Sequence, residues 1–194
     1  MLDYKLFSDS GISLEDWDSF VNNSDNGTIF HKQKFLGYHP KGKFSDNSLV
    51  IFKNKQILAL LPATIISRDG KNILSSHGGA SYGSFVYKQD LNFREAHDMV
   101  EILMDYAKEL KVDAIQLTPP PVIYQSKYSN YIDFALVRNG FGYLKREISS
   151  VVQLDVPREH LLGTYRQEAR TALKKAMKGG VEIAECDKFD EYYA

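Results

Sequence analysis

Apolar residues at Ala96, Val100, Leu103, Ala107 and Leu110 recur in alternating steps of four and three, and this predicts an amphipathic helix from Phe93 packed on a sheet. Elsewhere the pattern shortens to a period of two. Asp3–Phe7 alternates like a short strand, and Leu49–Phe52 and Ile57–Leu61 flank Lys53-Asn54-Lys55-Gln56 as a hairpin. Thr64–Ser67 pairs with Asn72–Ser75 across the Asp69-Gly70 turn. Pro62, having no N–H to donate, predicts a bulge or an edge position between these runs. Ser13 is placed to cap a helix with Leu14, Trp17 and Val21 on one face, and Gln33–Tyr38 reads as a second short helical or irregular segment. Asp113–Leu117 predicts a buried strand that Pro119-Pro120-Pro121 forbids from continuing, and a helix follows from about Tyr128 to Arg138, closed by Asn139-Gly140. An alternating strand is expected from Tyr143 to Leu154.

From about Arg158 to Lys178 the helical period returns with a strong asymmetry. Arg166, Arg170, Lys174 and Lys178 stand four apart as a basic stripe, while Leu162, Tyr165, Ala169, Leu173 and Ala176 form a seam able to face a core. Gly179-Gly180, a strand-like Val181–Ala184 and a further element at Phe189–Ala194 complete the chain. Hairpins first, then helix, strand, helix and strand, predict an α+β fold with a mixed, largely antiparallel sheet flanked by helices. A doubly wound parallel sheet requires single strands and helices to alternate, and the first half lacks that alternation.

With 194 residues, 43% hydrophobic and 25% charged, the chain has room for one full domain and the start of a second. No apolar run approaches the roughly 20 residues that span a bilayer, and the N-terminus lacks a secretion signal, so a cytoplasmic protein is expected. A net charge of -1 argues against bulk attraction to DNA or lipid, which leaves anion binding to local patches such as the basic stripe. That stripe also reads as a solvated helix face, the commoner use of such a run of charges.

Most site chemistry is absent from the sequence. His31, His39, His77, His97 and His160 are scattered without metal-ligand spacing, so no metal is expected. Gly78, Gly79 and Gly83 fit neither phosphate-binding loop pattern; they read as tight turns and close backbone approaches, or as a substrate loop in which backbone amides and Tyr82 meet a polar ligand. Cys186, flanked by Glu185 and Asp187, is a poor nucleophile because neighbouring negative charge disfavours the thiolate. His77, beside Ser76 in the glycine loop, is the one histidine considered for proton transfer or substrate hydrogen bonding, and no catalytic residue is assigned.

Four stretches together carry a family resemblance. They are Trp17–Val21 followed by Gly27-Thr28-Ile29-Phe30-His31; Ser48-Leu49-Val50 running through Leu60–Ala63; Ser76–Gly83; and Tyr165–Arg170 with Lys174-Lys175-Ala176 and Gly179-Gly180-Val181. In these the chain resembles the GNAT-fold acyltransferases, and within them the Fem-type branch related to the peptidoglycan bridge-forming aminoacyltransferases. The resemblance implies a first GNAT-like domain over 1–156, a connecting basic helix over 157–179 and the opening of a second GNAT-like domain at 180–194. It implies transfer of an acyl or aminoacyl group to an amine of a cell-envelope precursor, such as a peptidoglycan peptide or amino-sugar. Acyl-CoA or aminoacyl-tRNA would be a co-substrate, with no firmly bound cofactor and with tRNA as a further partner of the basic helix. The substrate-binding residues it implies are Ser76, His77, Gly78, Gly79, Tyr82, Arg166, Arg170 and Lys174. One departure is that the glycine-rich pyrophosphate loop of ordinary GNAT enzymes is missing from the sequence. The alternative is a non-catalytic GNAT-like module binding an envelope glycan, peptide or protein.

Overall fold

A computed structural model describes residues 2–148, 150–151 and 154–185, and it divides the chain into two units, Met1–Arg146 and Glu147–Ala194. The first unit runs β1 (Leu2–Leu6), α1 (Leu14–Asn22), α2 (Gln33–Leu36), β2 (Leu49–Lys53), β3 (Gln56–Leu61), β4 (Thr64–Arg68), β5 (Lys71–Ser76), β6 (Val86–Tyr87), α3 (Phe93–Glu109), β7 (Ala114–Leu117) and α4 (Tyr131–Arg138). β1, β2, β3 and β6 form one antiparallel sheet in that order. A second sheet has the order β4-β5-β7, with β4 and β5 antiparallel and β5 and β7 parallel. The arrangement is α+β, mixed and mostly antiparallel, as the hydrophobic pattern predicts.

Both hairpins owe their register to two-residue turns. Asn54 and Lys55 take φ of 51° and 65°, and Asp69 and Gly70 take 52° and 73°, so both turns have the left-handed pair of residues that matches strand twist. Pro62 does something other than make a bulge or edge within one sheet. It lies between β3 and β4, which belong to different sheets, so the lost N–H ends one ladder and the chain crosses to the next. The bulge itself falls earlier, where Ile51 pairs with Ala59 but Phe52 pairs with Ile57, leaving Leu58 as the extra residue.

The core surrounds β2 and β3 on both faces. Leu49, Ile51, Ala59 and Leu61 pack with Met99, Val100 and Leu103 of α3, while Val50 and Leu60 pack with Trp17 and Val21 of α1. Each helix starts at a reciprocal cap, Ser13 with Asp16 for α1 and Asn92 with Glu95 for α3, which satisfies backbone N–H groups that the first turn leaves without partners. Glu95, 6% exposed, also pairs with Lys53 of β2 and ties the start of α3 to the sheet.

Several elements differ from the periodicity reading. Leu14 is exposed, so α1 buries Trp17 and Val21 alone. β7 is half-buried where a buried strand is expected, and α4 begins at Tyr131 rather than Tyr128. The alternation from Tyr143 to Leu154 makes no strand among its described residues; Leu144, Ile148 and Leu154 are 82%, 99% and 71% exposed. Alternation marks a strand only where a neighbouring edge supplies hydrogen bonds and an apolar face, and the described residues of this segment pair with no strand.

In the second unit the expected single basic helix is broken. α5 (Arg158–Leu161) passes into a 3-10 turn at Leu162–Thr164, Tyr165 and Arg166 are extended, and α6 covers Gln167–Lys178. Gly163 is a weak helix former, and the Thr164 hydroxyl donates back to Leu161 O at 2.7 Å, competing with the helical pattern. The apolar seam buries nothing deeply: Leu162, Tyr165 and Leu173 are exposed. Val181–Ala184 is irregular, and Cys186 and the expected element at Phe189–Ala194 lie outside the described residues.

These environments predict unequal responses to truncation. Leu103→Ala, at a position with 0% exposure, should cost about 2–5 kcal/mol through lost burial and a cavity. Leu173→Ala, at an exposed position on α6, should stay within about 0.5 kcal/mol. Urea unfolding of the two variants beside the parent chain checks both values.

Candidate functional site

β5 ends at Ser76, and the residues from His77 to Ser84 return the chain toward β6. The two ends of this loop meet at Ser76 and Ser84. Ser84 N–H donates to Ser76 Oγ at 2.8 Å, and Gly83 N–H donates to Thr118 O at 2.8 Å, just beyond β7. A Cβ on Gly83 would sit 2.0 Å from Ser76 O and 2.8 Å from His77 N, so only glycine fits. Gly79, at φ +91°, would place a Cβ 2.3 Å from His39 Nε2, and Gly78 packs on Phe44, Ile66 and Thr64. The glycines therefore serve close approach.

A second strip of chain braces the loop from behind. Asp25 N–H donates to Tyr87 O at 2.8 Å, and Asn26 donates to Phe85 O and accepts from Tyr87 N–H at 2.7 and 3.1 Å. His31, in the 3-10 turn Ile29–His31, has 0% exposure, and its ring joins Thr28 to Gly83. Its carbonyl accepts from the Trp17 indole N–H at 2.8 Å. Asp25 reaches further, its Oδ1 accepting from Lys127 N–H at 2.7 Å and its carbonyl from Ser126 N–H at 2.9 Å.

Aromatic rings wrap the loop. Successive ring contacts run from Tyr124 through Tyr82, Phe30, Phe35, Tyr38, His39 and Phe44 to His77, with centroids 3.9 to 5.9 Å apart. Against the His77 end lies a cleft of about 260 Å³ lined by Gln33, Leu36, His39, Phe44, Asp46 and His77, among others. The cleft mixes a carboxylate, two imidazoles and an aromatic wall, a set suited to a polar ligand with a donor group. His77 is 9% exposed, and its Nδ1 lies 2.7 Å from Gly78 O. A carbonyl only accepts, so Nδ1 carries the proton and Nε2 keeps its lone pair. Burial pushes the His77 imidazole below its ordinary value; the Gly78 carbonyl and Asp46 pull it partly back up, and His39 pushes it down. The ring is therefore neutral near pH 7 and able to take a proton.

Of the residues expected from sequence, the structure brings Ser76, His77, Gly78, Gly79 and Tyr82 into this one loop. Ser76 and His77 are buried, and Tyr82 is half-buried between Phe30 and Tyr124. Arg166, Arg170 and Lys174 belong to the second unit, where Arg166 precedes the first turn of α6 and Arg170 donates to Gln167 Oε1 at 2.7 Å. Sequence reasoning missed His31, His39, Phe44 and Asp46. His39 and Asp46 flank Pro40-Lys41-Gly42-Lys43, which reads as plain loop, and His31 had a signal only in its place after Gly27-Thr28. Among the described residues, His97, Asp98 and Glu101 also gather on α3; the three share one helix face with solvent at hand, and His97 Nδ1 sits 3.6 Å from Glu101 Oε2.

The glycine geometry is directly testable. Gly83→Ala should destabilise the chain by about 2 kcal/mol or more, since the clash is with backbone that cannot swing away. Gly142→Ala, with nothing near the added methyl, should change stability by no more than about 0.5 kcal/mol. Thermal and urea unfolding followed by circular dichroism would separate them.

No family model matches this sequence, and no curated protein matches it. Among solved structures the chain is similar to FemX, with a TM-score of 0.61 and 16% identity, over 95% of this chain and 46% of FemX. It is also similar to a GNAT family acetyltransferase from Staphylococcus aureus subsp. aureus USA300_TCH1516, with a TM-score of 0.47, 13% identity, and 78% and 98% of the two chains covered. The ribosomal-protein-alanine N-acetyltransferase from Brucella melitensis biovar Abortus 2308 gives 0.47, 11%, 79% and 99%. The chain spans a little under half the length of FemX, and at such identity the likeness speaks to the fold. No described helix is long and apolar enough to cross a membrane. The α+β architecture, mixed and mostly antiparallel with flanking helices, is a GNAT-like fold shared with FemX.

Proposed function

We propose that this chain belongs to a Fem-like acyl- or aminoacyl-transferase acting on an amine of a cell-envelope precursor, and that it supplies the acceptor side. The observation that carries the reading is the polar, aromatic-walled cleft beside the Ser76–Tyr82 loop in a chain whose fold matches FemX over 95% of its length. On this reading residues 1–156 form a first GNAT-like domain, 157–179 the connecting basic segment and 180–194 the start of a second such domain.

The chemistry asked of the site is modest. An amine must reach the carbonyl of an acyl donor in its neutral form, held in line, and positioning alone can supply several kcal/mol. No covalent intermediate on the protein is needed. A neutral His77, with its Nε2 lone pair free of the Gly78 hydrogen bond, suits proton acceptance from the amine. On this reading Tyr82 and the backbone at Gly78 and Gly79, in the loop beside the cleft, offer the acceptor further contacts. Arg166, Arg170 and Lys174 supply cations for phosphates or carboxylates of the substrates, and arginine can meet either in a two-pronged contact. The donor is acyl-CoA or aminoacyl-tRNA.

The second reading is a module that binds an envelope glycan, peptide or protein without transfer. It is favoured by the sequence lacking a pyrophosphate loop and by Gly78 and Gly79 being committed to packing on Phe44 and His39. Incubating the chain with peptidoglycan peptides or amino-sugars and each donor class, then weighing the acceptor by mass spectrometry, distinguishes the two. Gain of the acyl mass supports the transferase; saturable binding without that gain supports the module.

Two sets of substitutions test the residues. His77→Ala should weaken acceptor binding about tenfold or more, by loss of one charge-assisted or neutral hydrogen bond. The double change Arg166→Ala with Arg170→Ala should weaken binding of an anionic substrate by about 10–100-fold and leave the circular dichroism spectrum unchanged. Titration calorimetry reads both, and unchanged affinity removes the altered residues from the site.

A further inference from the structure

His31 is the one wholly buried histidine, and its neighbours dictate its chemical form. The Thr28 backbone N–H lies 3.0 Å from Nδ1, and a backbone N–H can only donate, so Nδ1 must present a lone pair. Gly83 O lies 3.0 Å from Nε2, and a carbonyl can only accept, so Nε2 must carry the hydrogen. The Thr28 hydroxyl stands 2.9 Å from the same Nδ1. The ring is thus neutral with its proton on Nε2, and both nitrogens are engaged.

We infer that His31 is a positioning residue that latches the Ser76–Ser84 loop in place only while its imidazole is neutral. The grip is double. Phe30 packs edge-on against Tyr82 with centroids 5.4 Å apart, while His31 donates to the adjoining Gly83, so two successive residues of one turn hold two successive residues of the loop. Gly83 is the loop's closing point, in backbone contact with Ser76 and His77 and bonded to Thr118. Whatever shifts Gly83 therefore shifts Tyr82 on one side and the anchorage of His77 on the other. A second proton on the ring must go to Nδ1, where the Thr28 N–H already points, and two donors would then face each other.

Burial holds His31 below its ordinary value of 6.5, against a smaller upward pull from the Gly83 carbonyl. Lys32 follows His31 in the chain, and Asp18 of α1 holds the backbone just beyond it. The Asp18 carboxylate is already committed to the N–H groups of Gln33 and Lys34, at 2.6 and 3.2 Å. With the latched value depressed, the latch is at full strength above 6.5 and weakens as pH falls from there toward the latched value, because the released imidazole takes up the proton first.

Hydrogen exchange on the unliganded chain is the test, comparing Gly83 and Ser84 amides with α3 amides between about pH 7.5 and about pH 5 after correction for intrinsic rates. In the parent chain the loop amides should lose about tenfold protection in acid relative to α3. His31→Gln keeps a side-chain amide donor toward Gly83 and does not titrate, so its loop protection should fall much less in acid than the parent's, the remainder coming from buried His77 in the same loop. His31→Ala should leave the loop open at both ends of the range, with α3 still protected. A parent chain whose loop and core amides respond alike to pH, or a His31→Gln chain that keeps the parent's response, overturns the inference. Ring 15N shifts of the parent need no variant, and a charged ring or a proton on Nδ1 at neutral pH overturns it as well. The inference rests on the proposed function only in taking the loop as the acceptor loop. Absence of acyl transfer would sink that reading and leave the latch intact, whereas unlatched amides would sink the latch and leave the transferase reading intact.

Discussion

The hairpin of β2 and β3 has no free face, and the rest of the first unit is arranged around that constraint. Leu49, Val50 and Ile51 are consecutive and all have 0% exposure, as do Ala59, Leu60 and Leu61 opposite them. A strand pair with both sides apolar must be covered twice, so α1 with Trp17 lies on one side and α3 with Met99, Val100 and Leu103 on the other. Pro62 then ends the ladder where the next strands must leave this sandwich for the second sheet. The hairpin supplies the rigid base, and the loop that follows β5 is free to be shaped by other forces.

Those forces are polar. The return from Ser76 to Tyr87 has little regular pairing of its own, and a backbone left without partners in a buried place is costly. Asp25, Asn26 and His31 bring the side chains and backbone groups that meet Phe85, Tyr87 and Gly83 from another part of the sequence. Each of these polar residues is almost wholly buried, at 2%, 4% and 0% exposure. The candidate site is thus held by hydrogen bonds between segments some sixty or fifty residues apart, such as Asn26 with Phe85 and His31 with Gly83. Its rings and glycines then close the space, with His39 and Phe44 occupying the volume that side chains at Gly78 and Gly79 would need.

The second unit obeys a different balance. α6 separates apolar from charged residues more sharply than α1, α3 or α4, yet none of its side chains is deeply buried. Amphipathic periodicity shows which face would meet a core; burial requires that the core be supplied. The likeness to FemX speaks to the fold alone and leaves chemistry to the site, since one fold hosts many reactions.

The local elements of the first unit were legible in the sequence because their causes are local. Ser13 three residues before Asp16, Asp69-Gly70 between alternating runs, and the four-three spacing from Ala96 to Leu110 each act within a few residues of chain. They located α1, the hairpins and α3 to within a residue or two. The loop from Ser76 to Tyr82 was also visible as a candidate from its composition. What only the tertiary structure decided was every matter that depends on distant partners. Tyr143–Leu154 carries a strand pattern but meets no strand edge among its described residues, and His31 reads as one more scattered histidine until folding sets it between Thr28 and Gly83. Periodicity is a property of neighbours along the chain, whereas burial, tautomer and hydrogen-bond partner are properties of neighbours in space, and a single sequence records only the first.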